Sequence, residues 1–512
     1  MDSFRLSSNI LKFSLLATGV AGVVAEYILA TLASYYLPDS IVQWTMIISV
    51  MLFSMGVGSR LSKFIVNDLL DKFVLIEFAL SVLVSFSAVV VFVSVGKTIY
   101  YGFLIYTLSV LIGLLIGMEI PLVTRINDQY EELRLNIANV MSWDYIGSLI
   151  GGVFFVFIGL PYLGMTYTPF ALGLLNFLVA SVIIFKLRQS LKFHKILLAL
   201  FVLLGVVIGL GTCFSEEIIL FGEQKSWKDK VVLNKQSRYQ KITITEKEGY
   251  HWLFINNHLQ LSSFDEYLYH EPFVHLPAAL SGDLKNILIM GGGDGCAARE
   301  FLKYESVEKV TVVELDSLMI NLATNNGLLT ILNDSSFHDD RVQVQIQDAF
   351  LFPQQTKEKY DVILVDLPDP RSIDVNKLYT REFYKRCYKA LNPNGVFITQ
   401  AGSPYFATKA FYCIGKTMES AGFNTVPMHN QVLTMGEWGW MMGVKIRDEF
   451  LVKNYLKQQS FDKSDLRWLN QESVSGVLSF GKPLVDTSGI EINTLATPVL
   501  PTYYNRGNWS MF

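Results

Sequence analysis

The sequence predicts three parts in chain order: an α-helical transmembrane bundle of about seven helices over 1–214, a small β-meander over 215–280, and an α/β domain with a parallel sheet over 281–512. Three observations carry this. Of the 512 residues 51% are hydrophobic and only 17% charged, with a mean hydropathy of +0.34, well toward the membrane side for so long a chain. The apolar runs concentrate before about residue 214. After residue 280, short apolar strands alternate with helical segments, the rhythm of a sheet covered on both faces.

Crossing a hydrocarbon layer of roughly 30 Å takes about 20 helical residues. Stretches near 13–34, 41–59, 73–96, 101–120, 138–160, 165–186 and 196–213 meet that length, with no Lys or Arg in their interiors. Closely spaced small residues, such as Gly147, Gly151 and Gly152, permit tight helix packing. Four acids interrupt the apolar pattern: Glu26, Glu77, Glu119 and Asp144. Ionisable groups at membrane depth are costly, so Glu26, Glu77 and Asp144 are candidate contacts for a cation or polyamine, the alternative being hydrogen bonds to Tyr27, Trp143 or Tyr145 that hold helices together. Glu119 precedes Pro121 and is expected at a helix end. Loop cations including Arg60, Lys63, Lys72, Arg125, Arg134 and Lys192 fall on one side, against Lys97 on the other. That asymmetry makes the first side cytoplasmic and puts the C-terminal half outside.

Other classes are disfavoured. The net charge is −4 without a basic tract, so nucleic acid is not an expected partner. Cys213, Cys296, Cys387 and Cys413 lack ligand spacing, so neither a zinc site nor a disulfide framework is expected. Oligomeric state is not legible.

From 217 to 275 short alternating runs, such as KITITE (241–246) and WLFI (252–255), read as a β-meander. Each later strand ends in an acid or glycine: NILIM runs into GGGDG (291–295), VTVV into Glu314 and Asp316, VQVQIQ into Asp348, VILV into Asp366 and Asp369. One such acid is ordinary, since Asp caps helices. Four in succession, at the strand edge where parallel sheets bind ligands, point to a site. Glu314, about twenty residues beyond the glycine loop, stands where a ribose-binding acid belongs. NAD fits poorly, because no third glycine completes GxGxxG and Asp294 would meet the pyrophosphate. An adenosyl sulfonium fits better. Asp294 would repel the carboxylate of adenosylmethionine but attract the ammonium of its decarboxylated form. With Asp366 and Asp369 to hold and deprotonate a cationic amine, the expected reaction is displacement at the methylene beside sulfur.

These residues resemble the spermidine synthases, the polyamine aminopropyltransferases, over roughly 231–445. The likeness is carried by SRYQKITI (237–244), HLQLSSFDEYLYHE (258–271), MGGGDGCAARE (290–300), VVELD (312–316), QDAF (347–350), VDLPDP (365–370), LYTREFYKRCYKALNPNGVFITQ (378–400) and VPMHN (426–430). The whole architecture is similar to a bacterial membrane-bound subgroup. The resemblance implies a Rossmann-like domain of the class I adenosylmethionine-dependent type. It also implies aminopropyl transfer from decarboxylated S-adenosylmethionine to a polyamine, putrescine by default, with methylthioadenosine released and no metal. Gln236, Gln260, Tyr269, His270 and Asp294 would face the donor and the amine, Glu314 the ribose and Asp348 the adenine. Asp366 would be the general base and Asp369 would bind the acceptor. The expected location is the bacterial inner membrane, and on this point cytosolic supply of the donor opposes the loop charges. Two departures stand out: Leu367-Pro368 replaces two small hydroxyl residues between the acids, and His429 falls where the family has an acceptor-side tyrosine. A polyamine transporter or sensor with a non-catalytic domain is the alternative.

Overall fold

Long apolar runs form long helices because a backbone without water must satisfy its hydrogen bonds internally. In the computed structural model, which describes residues 2–37, 40–95, 100–128, 130–446, 448–461, 465–481 and 488–509, these runs are α1 (Asp2–Tyr36), α2 (Ser40–Leu61), α3 (Leu69–Val95), α4 (Tyr101–Asn127), α5 (Leu133–Phe154), α6 (Gly164–Lys186) and α7 (His194–Ser226). Lys97 lies outside the described residues.

Among the described residues six helical stretches, not seven, are long and apolar enough to cross a membrane. The difference arises at 155–163, where a π-helical segment joins α5 to α6 without a loop. The joined stretch of 54 residues would be about 80 Å long if straight, more than twice a bilayer core. Gly164, at φ +62°, breaks it. Two further expectations are corrected. The boundary expected at 214 falls inside α7, because Glu217 and Gln224 are good helix formers and carry the helix past the apolar edge. Glu119 is not at a helix end: α4 continues through Pro121 to Asn127, and Glu119 is fully buried.

The chain divides into two compact units, Met1–Arg238 and Tyr239–Phe512. Strand β1 (Lys230–Gln236) ends the first. The second opens with the antiparallel strands β2 (Lys241–Lys247), β3 (Tyr250–Ile255) and β4 (His258–Ser262). Helix α8 (Tyr267–Ser281) leads into β5 (Asn286–Gly291), α9 (Cys296–Leu302), β6 (Lys309–Glu314), α10 (Ser317–Asn325), β7 (Val342–Ile346), β8 (Tyr360–Asp366), β9 (Leu391–Gly402), β10 (Asn424–Val432) and β11 (Gly436–Val444).

The large sheet has the order β10-β11-β9-β8-β5-β6-β7. Strands β5 to β9 are parallel, and β10 and β11 add an antiparallel edge. Successive side chains alternate between faces. Ile287, Ile289, Val362 and Leu364 enter one core with Phe273 and Trp440, while Leu288, Met290, Ile363 and Val365 enter the other with Tyr379 and Phe383. Burial on both faces is why these strands are continuously apolar. The chain crosses from β5 to β6 on one side and later returns to lay β8 on the other. The β5/β8 border is therefore a topological switch point, where such sheets open a crevice at the carboxyl edge.

Candidate active site

Glycine makes the crevice possible. Gly291 ends β5 at φ +80°, and a Cβ there would lie 1.9 Å from the Asp366 carbonyl oxygen, so only glycine lets the two strand ends meet. Gly291 pairs with Asp366 in register, and the Gly292 N–H donates to the Asp366 carbonyl at 3.0 Å. The base-candidate strand is thereby fastened to the glycine loop.

Four residues singled out from the sequence converge here. Tyr269 on α8 donates its phenol proton to Asp366 Oδ1 at 2.9 Å. A His270 ring nitrogen and carboxylate oxygens of Asp294 and Asp366 all lie within 4.8 Å of one another. His270 Nδ1 donates to Glu266 Oε2 at 2.9 Å, one helical turn back. Arg299 on α9 pairs with the same Glu266 oxygen at 2.8 Å, and Arg467 with its other oxygen at 3.2 Å. A chain of alternating charge results, with Glu266 and His270 buried at its centre: arginines, Glu266, His270, then Asp294 and Asp366.

The electrostatics follow from that alternation. Burial raises Glu266, but His270 and Arg299 overcome it and hold the carboxyl at about 2. Burial opposes charge on His270, yet the Glu266 hydrogen bond and charge, with Asp294 and Asp366, push it up to about 9. Burial and then Asp294 raise Asp366, against the pull of His270 and Tyr269, to about 6. At neutral pH His270 is an imidazolium beside an ionised Asp366. The His270, Asp294 and Asp366 trio also has the spacing of metal ligands.

The other expected residues surround this group. Glu314 closes β6 and accepts from the Asp316 N–H at 2.9 Å. Burial raises it to about 7, and a Cβ on Gly293 would lie 3.0 Å from its Oε2. Asp316 instead caps α10. Asp348 is ion-paired with Lys377 at 2.7 Å. Asp369 pairs with Arg371 at 3.2 Å, and Arg371 lies over the rings of Tyr504 and Trp509. Gln260, on β4, donates to the carbonyls of His258 and Leu259. Gln236 ends β1 in the first unit, its amide donating to the Ser237 carbonyl. A cleft of about 410 Å³ lined by Asn286, Lys309, Glu358, Lys359 and Asn392 lies at the amino ends of β5 and β6, the wrong edge for this fold's ligands.

Sequence reasoning missed several supports. Glu266 and His270 stand four apart in DEYLYHE, a helical spacing that could have paired them. Gln400 donates to the Leu367 carbonyl at 3.0 Å and meets the Tyr379 hydroxyl at 2.6 Å, which fixes the Leu-Pro turn between the acids. Trp440, from the unusual GEWGWMMG, packs its ring 5.2 Å from that of Tyr269. His429 is held by Glu437 and by the Ser479 carbonyl, and those contacts raise its pKa against burial. Arg371, Arg467 and Tyr504 carry no motif of their own.

Residues 266–455 match the spermine/spermidine synthase domain. The chain is 39% identical over 501 residues to polyamine aminopropyltransferase 2 of Aquifex aeolicus, covering 98% of this chain and 99% of that one. It is 38% identical to the polyamine aminopropyltransferase of Leptospira interrogans, covering 97% and 98%. Among solved structures, a spermidine synthase in complex with the transition-state analogue AdoDATO is 29% identical. That match covers 49% of this chain and 86% of the other, with a TM-score of 0.45.

Proposed function

The chain belongs to the spermine/spermidine synthase family of polyamine aminopropyltransferases, and from that premise we propose that it moves an aminopropyl group from decarboxylated S-adenosylmethionine to putrescine, releasing spermidine and methylthioadenosine. The observation that carries this reading is the meeting of Asp294, Asp366 and His270 at the β5/β8 border. Two carboxylates there suit the donor's ammonium and sulfonium together with a cationic acceptor, and they disfavour a donor that keeps its own carboxylate.

In this reading Glu314 accepts from the ribose hydroxyls and Asp348 faces the adenine, with Gln260 completing the donor site from the β-meander. Asp366, oriented by Tyr269, takes a proton from the acceptor ammonium. The freed amine attacks the methylene next to sulfur, the carbon–sulfur bond breaks, and its electron pair neutralises the sulfonium. The acceptor ammonium and the sulfonium are thus replaced by one secondary ammonium, and the proton held by Asp366 passes to solvent, restoring the base. His270 keeps Asp366 ionised and poised near neutrality, where a general base is most effective. Asp369 holds the acceptor's far end once Arg371 yields. The N-terminal helices anchor the enzyme as a multi-pass protein of the bacterial inner membrane.

The test incubates the purified full-length protein with decarboxylated S-adenosylmethionine and a panel of amines and measures methylthioadenosine. Release with putrescine above all others is expected. Absence of release with every amine, alongside measurable polyamine binding, would replace this reading with a non-catalytic sensor or transporter.

A further inference from the structure

The helical bundle buries acids for which the reaction at the sheet edge has no use. Glu77 on α3 and Glu119 on α4 are both 0% exposed, and among the described residues no hydrogen-bond partner reaches any of their four carboxyl oxygens. The two are neighbours. Glu119 acts electrostatically on Glu77, Asp144 on α5 acts on Glu119, and the Thr18 hydroxyl of α1 lies beside both glutamates. That hydroxyl donates elsewhere, to the Ser14 carbonyl at 3.0 Å. Close packing brings the helices together: a Cβ on Gly19 would lie 2.2 Å from the Asp144 carbonyl oxygen, and one on Gly147 would lie 2.2 Å from that of Leu16. Asn176 on α6 is buried with an unpartnered Oδ1, and Phe177 beside it packs on Phe78, next to Glu77.

Among the described residues the cations of α1, α3, α4 and α5 are engaged elsewhere or face outward. Lys12 pairs with Glu131, Arg125 donates to the carbonyls of Ile65 and Ser62, and Lys72 and Arg134 are exposed. Glu26 stands apart, two turns along α1 from Thr18. An uncompensated carboxylate in an apolar interior costs several kcal/mol, so this cluster holds charge only in the company of a cation.

We propose that Glu77, Glu119 and Asp144 form a binding site for an alkylammonium cation inside the helical bundle, separate from the catalytic site. The ammonium donates its N–H groups to the orphaned carboxyl oxygens, and its hydrocarbon lies against the apolar helix faces. An alkali ion is the poorer match. Buried alkali sites draw on several backbone carbonyls freed where a helix unwinds, whereas α3 runs unbroken through Glu77 and in α4 Pro121 frees the single carbonyl of Gly117.

The test is equilibrium dialysis of the full-length protein in detergent with radiolabelled putrescine, read as stoichiometry. Two sites are expected in the parent and one in Glu77→Gln/Glu119→Gln. Glu26→Gln should keep both, and aminopropyl transfer by each variant reports a folded catalytic unit. In the unmodified chain putrescine should also slow labelling of Glu77 and Glu119 by dicyclohexylcarbodiimide, followed by peptide mass spectrometry, which needs no variant to fold. Unchanged stoichiometry in the double variant, absence of protection, or displacement of the label by sodium at equal concentration would each overturn the proposal. Because the readout is amine binding within the bundle, it stands or falls separately from methylthioadenosine release.

Discussion

Removing one hydroxyl isolates one of the forces that set the general base. The Tyr269 phenol donates to Asp366 at 2.9 Å, and the acid stands at about 6 under the opposed effects of burial and Asp294 on one side and His270 and Tyr269 on the other. A hydrogen bond to a charged group contributes about 1.5–3 kcal/mol, and one pKa unit corresponds to about 1.4 kcal/mol. Tyr269→Phe should therefore raise Asp366 by about one to two units. A base must be ionised to accept a proton, so activity falls as pH falls through the Asp366 value. The acid limb, near pH 6 in the parent, should move up by that amount. The assay is kcat/KM for the donor at saturating amine, read as methylthioadenosine release across the pH range. Near pH 6 the variant should be slower by about tenfold, and near pH 8.5 it should approach the parent. Above about 9 both should decline as His270 loses its proton. An acid limb that stays in place, or a loss equal at every pH, would refute the role given to this bond.

Asp366→Asn should lower turnover by about 10²–10⁴-fold, the range of a lost general base, yet raise stability. Asp366 moves from 3.8 to about 6 on folding, about two units or roughly 3 kcal/mol of penalty on its charged form. The penalty is present above pH 6 and vanishes below pH 3.8, so calorimetry should find the variant melting higher at pH 7 and no higher in acid. Arg371→Ala removes a pair whose arginine is 41% exposed, worth about 1 kcal/mol or less after screening. The acceptor KM should fall by up to about fivefold with donor KM unchanged, and an unchanged acceptor KM would show that Arg371 does not compete for Asp369. Gly291→Ala forces a methyl to 1.9 Å from a backbone oxygen at φ +80°, so loss of both donor binding and several kcal/mol of stability is expected, measured by calorimetric binding and melting.

Much of the C-terminal unit was legible because its signals are local. Alternation and turn residues marked the strands, and an apolar run followed by an acid marked each carboxyl edge. Asp294 and Asp366 could be named in advance for that reason, Tyr269 and His270 through the family resemblance, and the four lie together. In the bundle the same locality misled. Hydropathy ended at residue 214 while α7 continued to Ser226, since helix propensity and apolarity are separate properties. Pro121 suggested a helix end and drew attention away from Glu119, which the structure buries beside Glu77.

The sequence by itself determined the order of the elements, the edge of the sheet that carries the acids, and the chemical type of each group there. Tertiary structure decided their states. His270 is held toward its imidazolium by Asp294, Asp366 and above all Glu266, itself paired with Arg299 and with an arginine 201 residues away. Arg371, a local partner of Asp369, lies over Tyr504 and Trp509 because residues 504–509 fold back to it. Protonation and pairing depend on distances between groups far apart in sequence, and Coulombic interaction varies with distance and dielectric, neither of which a one-dimensional pattern contains.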